Sequence, residues 1–178
     1  MTIHFRPVPS PLGPLTVATS DRGLFALEFP QDAWLLPRDG WREGDHPLLR
    51  QAQGQLDEYF RGDRRIFDLP LAPQGTPFQR QVWFALADIP YGQTTSYARL
   101  AARIGRPTAA RAVGAANGRN PLGIFLPCPR VVGAHGALTG FSGGLAAKQF
   151  LLELEGALPP MGPADLFSDA AGATRDRD

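Results

Sequence analysis

The residue with the clearest chemical potential is the single cysteine, Cys128, in the run Pro-Cys-Pro-Arg-Val-Val at residues 127–132. An ionised thiol is a strong nucleophile, but a free thiol with a pKa of about 8.5 is only a few per cent ionised at neutral pH. A lone cysteine is more often a small core residue than a reactive one. One cysteine forms no internal disulfide and no cysteine-rich zinc site, so its neighbours decide between packing and chemistry.

The basic and acidic residues are separated along the chain. Residues 1–75 have ten acidic residues against eight arginines. Residues 89–152 contain no aspartate or glutamate, and their seven basic residues are Arg99, Arg103, Arg106, Arg111, Arg119, Arg130 and Lys148. A block of one sign favours a polyanion-binding face, because phosphate contacts supply most of the affinity for nucleic acid. The alternative is an ordinary solvated surface, which usually mixes both signs.

Two short helices inside this basic block form the outline of a helix-turn-helix. The first covers residues 96–104, Gly105-Arg106-Pro107 is the turn, and Thr108 caps a second helix over residues 109–117. Helix pairs of this kind also occur in proteins that bind no DNA. The surrounding positive charge is what favours nucleic acid as the partner.

The second helix is nearly devoid of side chains that read bases. Its sequence is Ala-Ala-Arg-Ala-Val-Gly-Ala-Ala-Asn, and Arg111 is its one long side chain. A major-groove reader presents several polar groups, whereas a helix this slim suits the minor groove, which is about 6 Å wide. Arg111 is then placed to enter the base stack in the space of an expelled nucleotide. The alternative is an Ala-rich core helix with Arg111 on its wet side.

The remaining pattern predicts a mixed α/β (α+β) protein. A small N-terminal domain of a β-meander and a helix is expected over residues 1–75. A mainly helical, winged-helix-like domain that contains the helix-turn-helix is expected over residues 76–156, followed by a loose tail over 157–178. With 178 residues, 43% of them hydrophobic, the chain is long enough to bury a core.

The individual elements are predicted from periodicity and end signals. Thr76-Pro77-Phe78-Gln79 predicts a helix start, with a threonine cap, proline at the first position and glutamine completing a capping box. A final helix is expected to pack through Leu145, Phe150, Leu151 and Leu154. The other expected elements are strands at 3–8, 15–19, 24–29 and 65–69, a loop at 32–44, a helix at 46–60, a linker at 70–75, extended pieces at 126 and 131–132, and a helix at 145–154.

Around the cysteine the chain resembles a known family of repair proteins. Residues 120–132 read Asn-Pro-Leu-Gly-Ile-Phe-Leu-Pro-Cys-Pro-Arg-Val-Val, followed by Gly-Phe-Ser-Gly-Gly-Leu at 140–145 and Glu-Leu-Glu-Gly at 153–156. This order and spacing resemble the O6-alkylguanine-DNA alkyltransferase (methylated-DNA–protein-cysteine methyltransferase) family, whose signature is Pro-Cys-His-Arg-Val. The resemblance runs without a break from about residue 76 to 156, whereas residues 1–75 share only the family's general plan.

The resemblance implies DNA repair by direct damage reversal. Cys128 is expected to take an alkyl group from O6 of guanine in one displacement, once per molecule and without a cofactor. The base must leave the stack, because the O6-linked carbon is not accessible to an in-line thiolate inside the duplex. Tyr97 is expected to donate a proton to the guanine ring, Asn120 to brace the turn that presents the cysteine, and Glu155 to anchor the acid–base network.

The resemblance also implies a base pocket and a DNA surface. The Cys128 and Val131 carbonyls, the Ser142 amide, Phe141 and Lys148 are expected to line the pocket, with Phe141 where the family often has tyrosine. Arg111 is expected to be the finger that fills the gap left by the flipped guanine. The other DNA-contacting residues expected are Thr108, Ala109, Ala110, Gly114, Ala115 and Arg119.

One position departs from the family signature. Pro129 stands where the signature has the histidine that links the cysteine, through water, to the glutamate matched by Glu155. Losing a general base commonly costs about 10²- to 10⁴-fold in rate. Arg130, helix N-termini or a water held by Glu155 are the expected substitutes for lowering the thiol pKa. Pro129 is also expected to keep Cys128 out of helical geometry on an exposed turn, and His135 is expected on a surface loop.

Two other functions remain open on sequence. The first is a non-catalytic, alkyltransferase-like lesion-binding protein, although that branch loses the cysteine that this chain keeps. The second is a transcription regulator, which would need base-reading side chains that the second helix almost entirely lacks.

The expected partner is double-stranded DNA, entered by its minor groove with the alkylguanine flipped out, and the expected state is a monomer. No run approaches the roughly 18 to 20 apolar residues of a membrane helix, and the N-terminus lacks an apolar signal-peptide run. We therefore expect a cytoplasmic protein without a membrane segment. The histidines and the cysteine are too few and too scattered to imply a bound metal.

Overall fold

A computed structural model describes residues 1–32, 37–133, 136–139, 141 and 143–158. The described residues form five α-helices and six strands, so the mixed α/β class predicted from sequence is confirmed. Contacts divide the chain into two compact units. Unit 1 contains Met1–Gly75 and Pro121–Phe125, and unit 2 contains Thr76–Asn120 and the described residues from Leu126 onward.

Unit 1 is built on a four-stranded sheet in the order β3-β2-β1-β4. Strands β1 (Ile3–Val8), β2 (Leu15–Ser20) and β3 (Gly23–Glu28) are an antiparallel meander, which confirms the first three predicted strands. Strand β4 (Trp41–Glu43) pairs parallel with β1, inside the segment predicted as a loop. That prediction was wrong because three residues carry too little periodicity, and packing of the Trp41 ring holds β4 in place.

Helix α1 (Pro47–Phe60) covers this sheet and begins where predicted. Its cap is His46, whose Nδ1 accepts a hydrogen bond from the Leu48 amide at 3.1 Å. Residues 65–69 form no strand, so that prediction was wrong. The Asp68 backbone instead exchanges hydrogen bonds of 2.9 and 3.1 Å with the side-chain amide of Gln55, an alternative to strand pairing that no pattern of hydrophobic residues reveals.

The segment Pro121–Phe125 belongs to unit 1 although it follows the helix-turn-helix in sequence. The Leu27 amide donates to the Pro121 carbonyl at 2.7 Å, and the Phe125 ring meets Phe67 edge-on with centroids 5.0 Å apart. The chain therefore returns to unit 2 at Leu126, two residues before the cysteine.

Unit 2 contains α2 (Pro77–Leu86), α3 (Tyr97–Arg103), α4 (Ala110–Gly118) and α5 (Leu145–Leu154), with a parallel pair of short strands, β5 (Thr95–Ser96) and β6 (Val131–Val132). The Thr76 capping box is present as predicted, with the Thr76 hydroxyl and the Gln79 side chain each bonded to the other's backbone amide.

The turn between α3 and α4 is fixed by a glycine. Gly105 has a φ of +78°, in the left-handed region that favours glycine. The amides of Gly105 and Arg106 donate to the carbonyls of Ala102 and Ala101, at 3.0 and 2.9 Å. These two bonds are a Schellman ending, which satisfies the last carbonyls of α3 and turns the chain toward α4.

Two details of the helices differ from the sequence predictions. Ala109, and not Thr108, is the cap of α4, and within the described chain that cap makes no side-chain hydrogen bond. Helix α5 buries Ala147, Lys148, Leu151 and Leu152, whereas Leu145 is 48% exposed. The predicted face is confirmed at Leu151, whereas Phe150 and Leu154 are only half-buried. Lys148 was not predicted to pack on this face, and polar contacts rather than hydrophobicity hold it inside. No described helix has the length and apolarity needed to cross a bilayer.

Candidate active site

Cys128 lies on a tight turn built by the prolines on either side of it. Pro127 has φ −78° and ψ 65°, an inverse γ-turn, and the Cys128 amide donates to the Leu126 carbonyl at 2.7 Å. Residues Cys128–Arg130 then form one 3₁₀ turn, in which the Arg130 amide donates to the Pro127 carbonyl at 3.0 Å and the Val131 amide to the Cys128 carbonyl. The backbone that carries the thiol is hydrogen-bonded on both sides of it.

Asn120 adds a side-chain bond to the same turn. Its Nδ2 donates to the Leu126 carbonyl at 2.7 Å, so that this carbonyl accepts from both a side chain and the Cys128 amide. The Asn120 side chain is buried, and an amide in that position is costly to leave without a partner. The contact ties the end of the helix-turn-helix to the chain that enters the cysteine turn.

The turn is buried, which corrects the expectation of an exposed one. Cys128 is only 3% exposed, and every residue from 126 to 132 is buried. Cys128 is itself the first residue of the 3₁₀ segment, so the expectation that Pro129 keeps it out of helical geometry was wrong. The chain turns before the cysteine because of the γ-turn at Pro127. Pro129 occupies the first turn of the 3₁₀ segment, where its missing amide hydrogen leaves no bond unmade.

Arg130 and Glu155 form a buried, bidentate ion pair next to the turn. Arg130 Nε lies 2.8 Å from Glu155 Oε1, and Nη2 lies 3.1 Å from Oε2, with the two side chains 9% and 5% exposed. Arg130 Nη1 also donates to the Ile89 carbonyl at 2.6 Å, and its guanidinium lies over the Tyr91 ring. A buried pair of this kind is strongly destabilising to break from one side.

The ion pair limits how Arg130 can act on the thiol of Cys128. Arg130 was expected to lower the thiol pKa as a cation, but its charge is paired with a carboxylate and acts over distance as part of a dipole. Both carboxylate oxygens of Glu155 accept from Arg130, so Glu155 is held as an ion-pair partner. His135, expected on a surface loop, lies outside the described residues.

The position of Glu155 is set by how α5 ends. Glu155 is the C-cap, Gly156 has φ +74°, and the amides of Gly156 and Ala157 donate to the carbonyls of Glu153 and Leu152 in a second Schellman ending. The Tyr91-Gly92 pair packs on the same place. A Cβ on Gly92, whose φ is +80°, would lie 3.1 Å from the Glu155 carbonyl oxygen.

Tyr97 lies at the first position of α3 and shares a polar cluster with Thr139 and Lys148. The Tyr97 hydroxyl donates to the Thr139 carbonyl at 3.2 Å, and the Thr139 hydroxyl donates to the Tyr97 oxygen, also at 3.2 Å. Lys148 is fully buried, and its Nζ donates to the carbonyls of Thr139 and Val131 at 2.5 and 2.6 Å. Strand β6, which follows the Cys128–Arg130 turn, is thereby connected to Tyr97 through two hydrogen-bonded residues.

The expected pocket residues are only partly brought together. Two of them are in direct contact, because the Val131 carbonyl accepts a hydrogen bond from Lys148 Nζ. Phe141 is half-buried, and Ser142 lies outside the described residues. Thr139 was missed by the sequence reasoning, since a threonine in a glycine-rich loop carries no signal until its partner Tyr97, 42 residues away, is known.

Helix α4 presents a slim exposed face. Val113, Ala116 and Asn117 point inward at helical spacing, and the Trp83 indole of α2 donates to the Ala116 carbonyl at 2.7 Å. The exposed residues of α4 and its flanks are Thr108, Arg111, Ala112, Ala115 and Arg119, whereas Ala109, Ala110 and Gly114 are half-buried. Gly114 faces Tyr97, whose Cδ1 would lie 3.6 Å from a Cβ placed there.

This surface can lie against a polyanion. Arg99, Arg103 and Arg106 are also exposed, on α3 and the following turn. Small side chains allow close approach of the helix backbone, and the arginines supply charge around it. Arg111 stands alone at the N-terminal end of the exposed face.

Two family models match the chain. The DNA binding domain of 6-O-methylguanine DNA methyltransferase matches residues 77–157, and the ribonuclease-like domain of 6-O-methylguanine DNA methyltransferase matches residues 3–73.

Similar proteins and structures cover most of the chain. The methylated-DNA–protein-cysteine methyltransferase of Methanosarcina acetivorans is 48% identical over 148 residues, which cover 83% of this chain and 94% of the relative. The protein of that name from Mycobacterium tuberculosis is 47% identical over 164 residues, 92% of this chain and 97% of the relative. The crystal structure of Mycobacterium tuberculosis OGT in complex with DNA aligns with a TM-score of 0.80 and 47% identity, covering 92% of this chain and 97% of that one.

Proposed function

The chain belongs to the 6-O-methylguanine DNA methyltransferase family, and on this premise we propose that it repairs DNA by moving an alkyl group from O6 of guanine onto its own cysteine. It is an enzyme of a single turnover, since the thioether formed on the cysteine is stable. The observation that carries the proposal is the buried turn of Cys128, hydrogen-bonded on both sides of the thiol and braced by Asn120.

The reaction is one displacement at carbon. The Cys128 thiolate forms a bond to the alkyl carbon as the bond from that carbon to O6 breaks, and the electron pair of the broken bond passes to the guanine. Tyr97 supplies a proton to the guanine ring, which makes the base a better leaving group. Asn120 and Glu155 are positioning residues: Asn120 holds the Leu126 carbonyl, and Glu155 holds Arg130 beside the turn.

The thiol is buried, so the lesion has to come to it. A base inside a duplex is out of reach of a side chain that is 3% exposed, and flipping the nucleotide into unit 2 solves this problem. The exposed, small-residue face of α4 suits the minor groove, and Arg111 fills the space that the base leaves. Thr108, Ala109, Ala110, Gly114, Ala115 and Arg119 lie along this contact.

Residues 76–156 form the DNA-binding and alkyl-accepting domain in this proposal, and residues 1–75 support it, with 157–178 as a tail. One lesion consumes one cysteine, so a monomer is sufficient. The chemistry requires access to DNA, which in a cell without a nucleus places the protein in the cytoplasm. A lesion-binding protein without chemistry is the weaker reading, because this chain keeps its cysteine on a well-formed turn.

Intact-protein mass spectrometry separates transfer from binding. The protein is incubated with duplex DNA that contains one O6-methylguanine, and in parallel with the same duplex containing guanine. We expect a gain of one methyl group with the damaged duplex only, and no gain for Cys128→Ser. Tight binding to the damaged duplex without any gain in mass would contradict the proposal and indicate a passive lesion binder.

A further inference from the structure

One backbone carbonyl joins the proton donor of the reaction to a buried lysine. The Thr139 carbonyl accepts from the Tyr97 hydroxyl at 3.2 Å and from Lys148 Nζ at 2.5 Å. The Thr139 side chain makes a second contact with Tyr97, because its hydroxyl donates to the phenol oxygen at 3.2 Å. Tyr97 thus both donates to and accepts from the same residue.

When a base enters, the Tyr97 hydroxyl has to exchange its hydrogen bond to the Thr139 carbonyl for one to the base. A phenol that protonates guanine must aim its hydrogen at the base, and in this structure that hydrogen is directed at the Thr139 carbonyl. A carbonyl that is partly shielded from water and left without a donor carries a desolvation penalty. Lys148 removes most of this penalty, because its ammonium group stays on the carbonyl when the Tyr97 hydrogen is redirected to the base.

The accepted bond has the opposite effect and favours proton release. As the Tyr97 hydrogen moves to the base, negative charge develops on the phenol oxygen. A hydrogen bond donated to an oxygen stabilises its charged form and makes the group a stronger acid. The Thr139 hydroxyl is such a donor, 3.2 Å from the phenol oxygen.

We propose that Thr139 is a positioning residue that aims Tyr97 and strengthens it as the acid that protonates the departing guanine. This inference rests on the proposed function, in which Tyr97 is the proton donor. The proton moves from the Tyr97 oxygen to a guanine ring nitrogen as the bond from O6 to the alkyl carbon breaks. The proton that the thiol loses to solvent on ionising is balanced by one that solvent returns to the phenolate, so the sum is thiol plus alkylguanine giving thioether plus guanine.

The test compares transfer rates in single-turnover experiments with duplex O6-methylguanine. Thr139→Val keeps the branched side chain and the carbonyl but removes the hydroxyl, and we expect transfer to slow about fivefold or more. Thr139→Ser restores a hydroxyl and is expected to return most of the rate. In a Tyr97→Phe background, Thr139→Val is expected to cause no further loss, because the two residues then act as one unit.

A second reaction separates an effect on Tyr97 as an acid from an effect on the reactivity of the Cys128 thiol. Iodoacetamide alkylates the thiolate and releases iodide, which needs no proton, so its rate with Cys128 should be equal in wild type and Thr139→Val. If Thr139→Val does not fold, as judged by its thermal melting temperature, Thr139→Ala is measured in the same way.

Three results overturn the inference: no slowing on removal of the hydroxyl, equal slowing in the Tyr97→Phe background, or equal slowing with iodoacetamide. Each leaves the proposed function intact provided that wild type accepts a methyl group. Absence of transfer by the wild type would instead contradict the proposed function itself.

Discussion

Helix α4 and the turn that carries Cys128 belong to the same unit but differ in their exposure to solvent. On α4, Arg111, Ala112 and Ala115 are exposed, and the small side chains leave the backbone accessible. On the turn, residues 126–132 are all buried, and backbone carbonyls on both sides of the thiol accept hydrogen bonds. The exposed face of the helix has few contacts to lose, whereas the turn has many.

The difference fits what the proposed function asks of each region. A surface that scans DNA needs small side chains and charge and tolerates substitution, since phosphate contacts are individually weak and depend on salt. A thiol that attacks in line needs a fixed direction, which requires its backbone and its neighbours to be held. Substitutions on the turn should therefore cost more than substitutions on the exposed face of the helix.

Arg130→Met should produce the largest effect, because it leaves the Glu155 carboxylate buried without its partner. We expect a loss of about 3–5 kcal/mol in the free energy of unfolding, measured by urea denaturation. The matched control is Arg130→Met with Glu155→Leu, in which no charge is left buried and most of the stability should return. A loss of less than about 1 kcal/mol in the single variant would mean that the ion pair does not hold the turn.

Pro129→His supplies the imidazole that the family signature carries next to the cysteine. We expect alkyl transfer at neutral pH to accelerate about tenfold to a hundredfold, because the imidazole can take the thiol proton. Pro129→Ala is the control that separates the new imidazole from the loss of the proline ring. Equal rates in wild type and Pro129→His would show that another group already ionises the thiol.

Arg111→Ala tests whether the exposed helix works on the duplex rather than on the thiol. We expect repair of O6-methylguanine in duplex DNA to slow about tenfold, equivalent to about 1.4 kcal/mol, with no change in the reaction with free O6-benzylguanine. Arg103→Ala removes one exposed charge of the same sign from α3 and should have a smaller, salt-dependent effect. Equal losses on duplex and free base would exclude the finger role.

Gly114→Ala is expected to be the mildest change. The new Cβ would lie at ordinary contact distance from the Tyr97 ring, and alanine in a helix is about 0.5–1 kcal/mol more favourable than glycine, so the melting temperature should rise slightly. Gly92→Ala is the counterpart near the turn. Its positive φ and the 3.1 Å approach to the Glu155 carbonyl predict destabilisation. Destabilisation by both alanines would erase the contrast between the two regions.

The parts that could be predicted from sequence are those whose signals lie within a few residues of one another. The Thr76 capping box and the Gly105 turn each depend on neighbours in the chain, and both have the predicted structure. Strand β4 was missed because its pairing with β1 is remote and its three residues show no period. Thr108 has the right residue type for a cap, but the helix begins one residue later, at Ala110.

The site shows the same division between local and remote contacts. The Pro-Cys-Pro run indicates a turn, and the family resemblance extends that to chemistry. The Arg130–Glu155 pair joins residues 25 positions apart, and Lys148 reaches a carbonyl 17 positions away, so neither contact is visible in a pattern along the chain. In a sequence, a lysine such as Lys148 is expected at the surface. It is buried here because two backbone carbonyls accept hydrogen bonds from it.

The most direct measurement locates the transferred group within the protein. After incubation with an excess of damaged duplex, trypsin should release residues 120–130 as one peptide, bounded by Arg119 and Arg130. Fragmentation mass spectrometry is expected to find one methyl group per chain, on the sulfur of Cys128, however large the excess of DNA. An unmodified Cys128 peptide from folded, DNA-bound protein, or a methyl group on any other residue, would contradict the account.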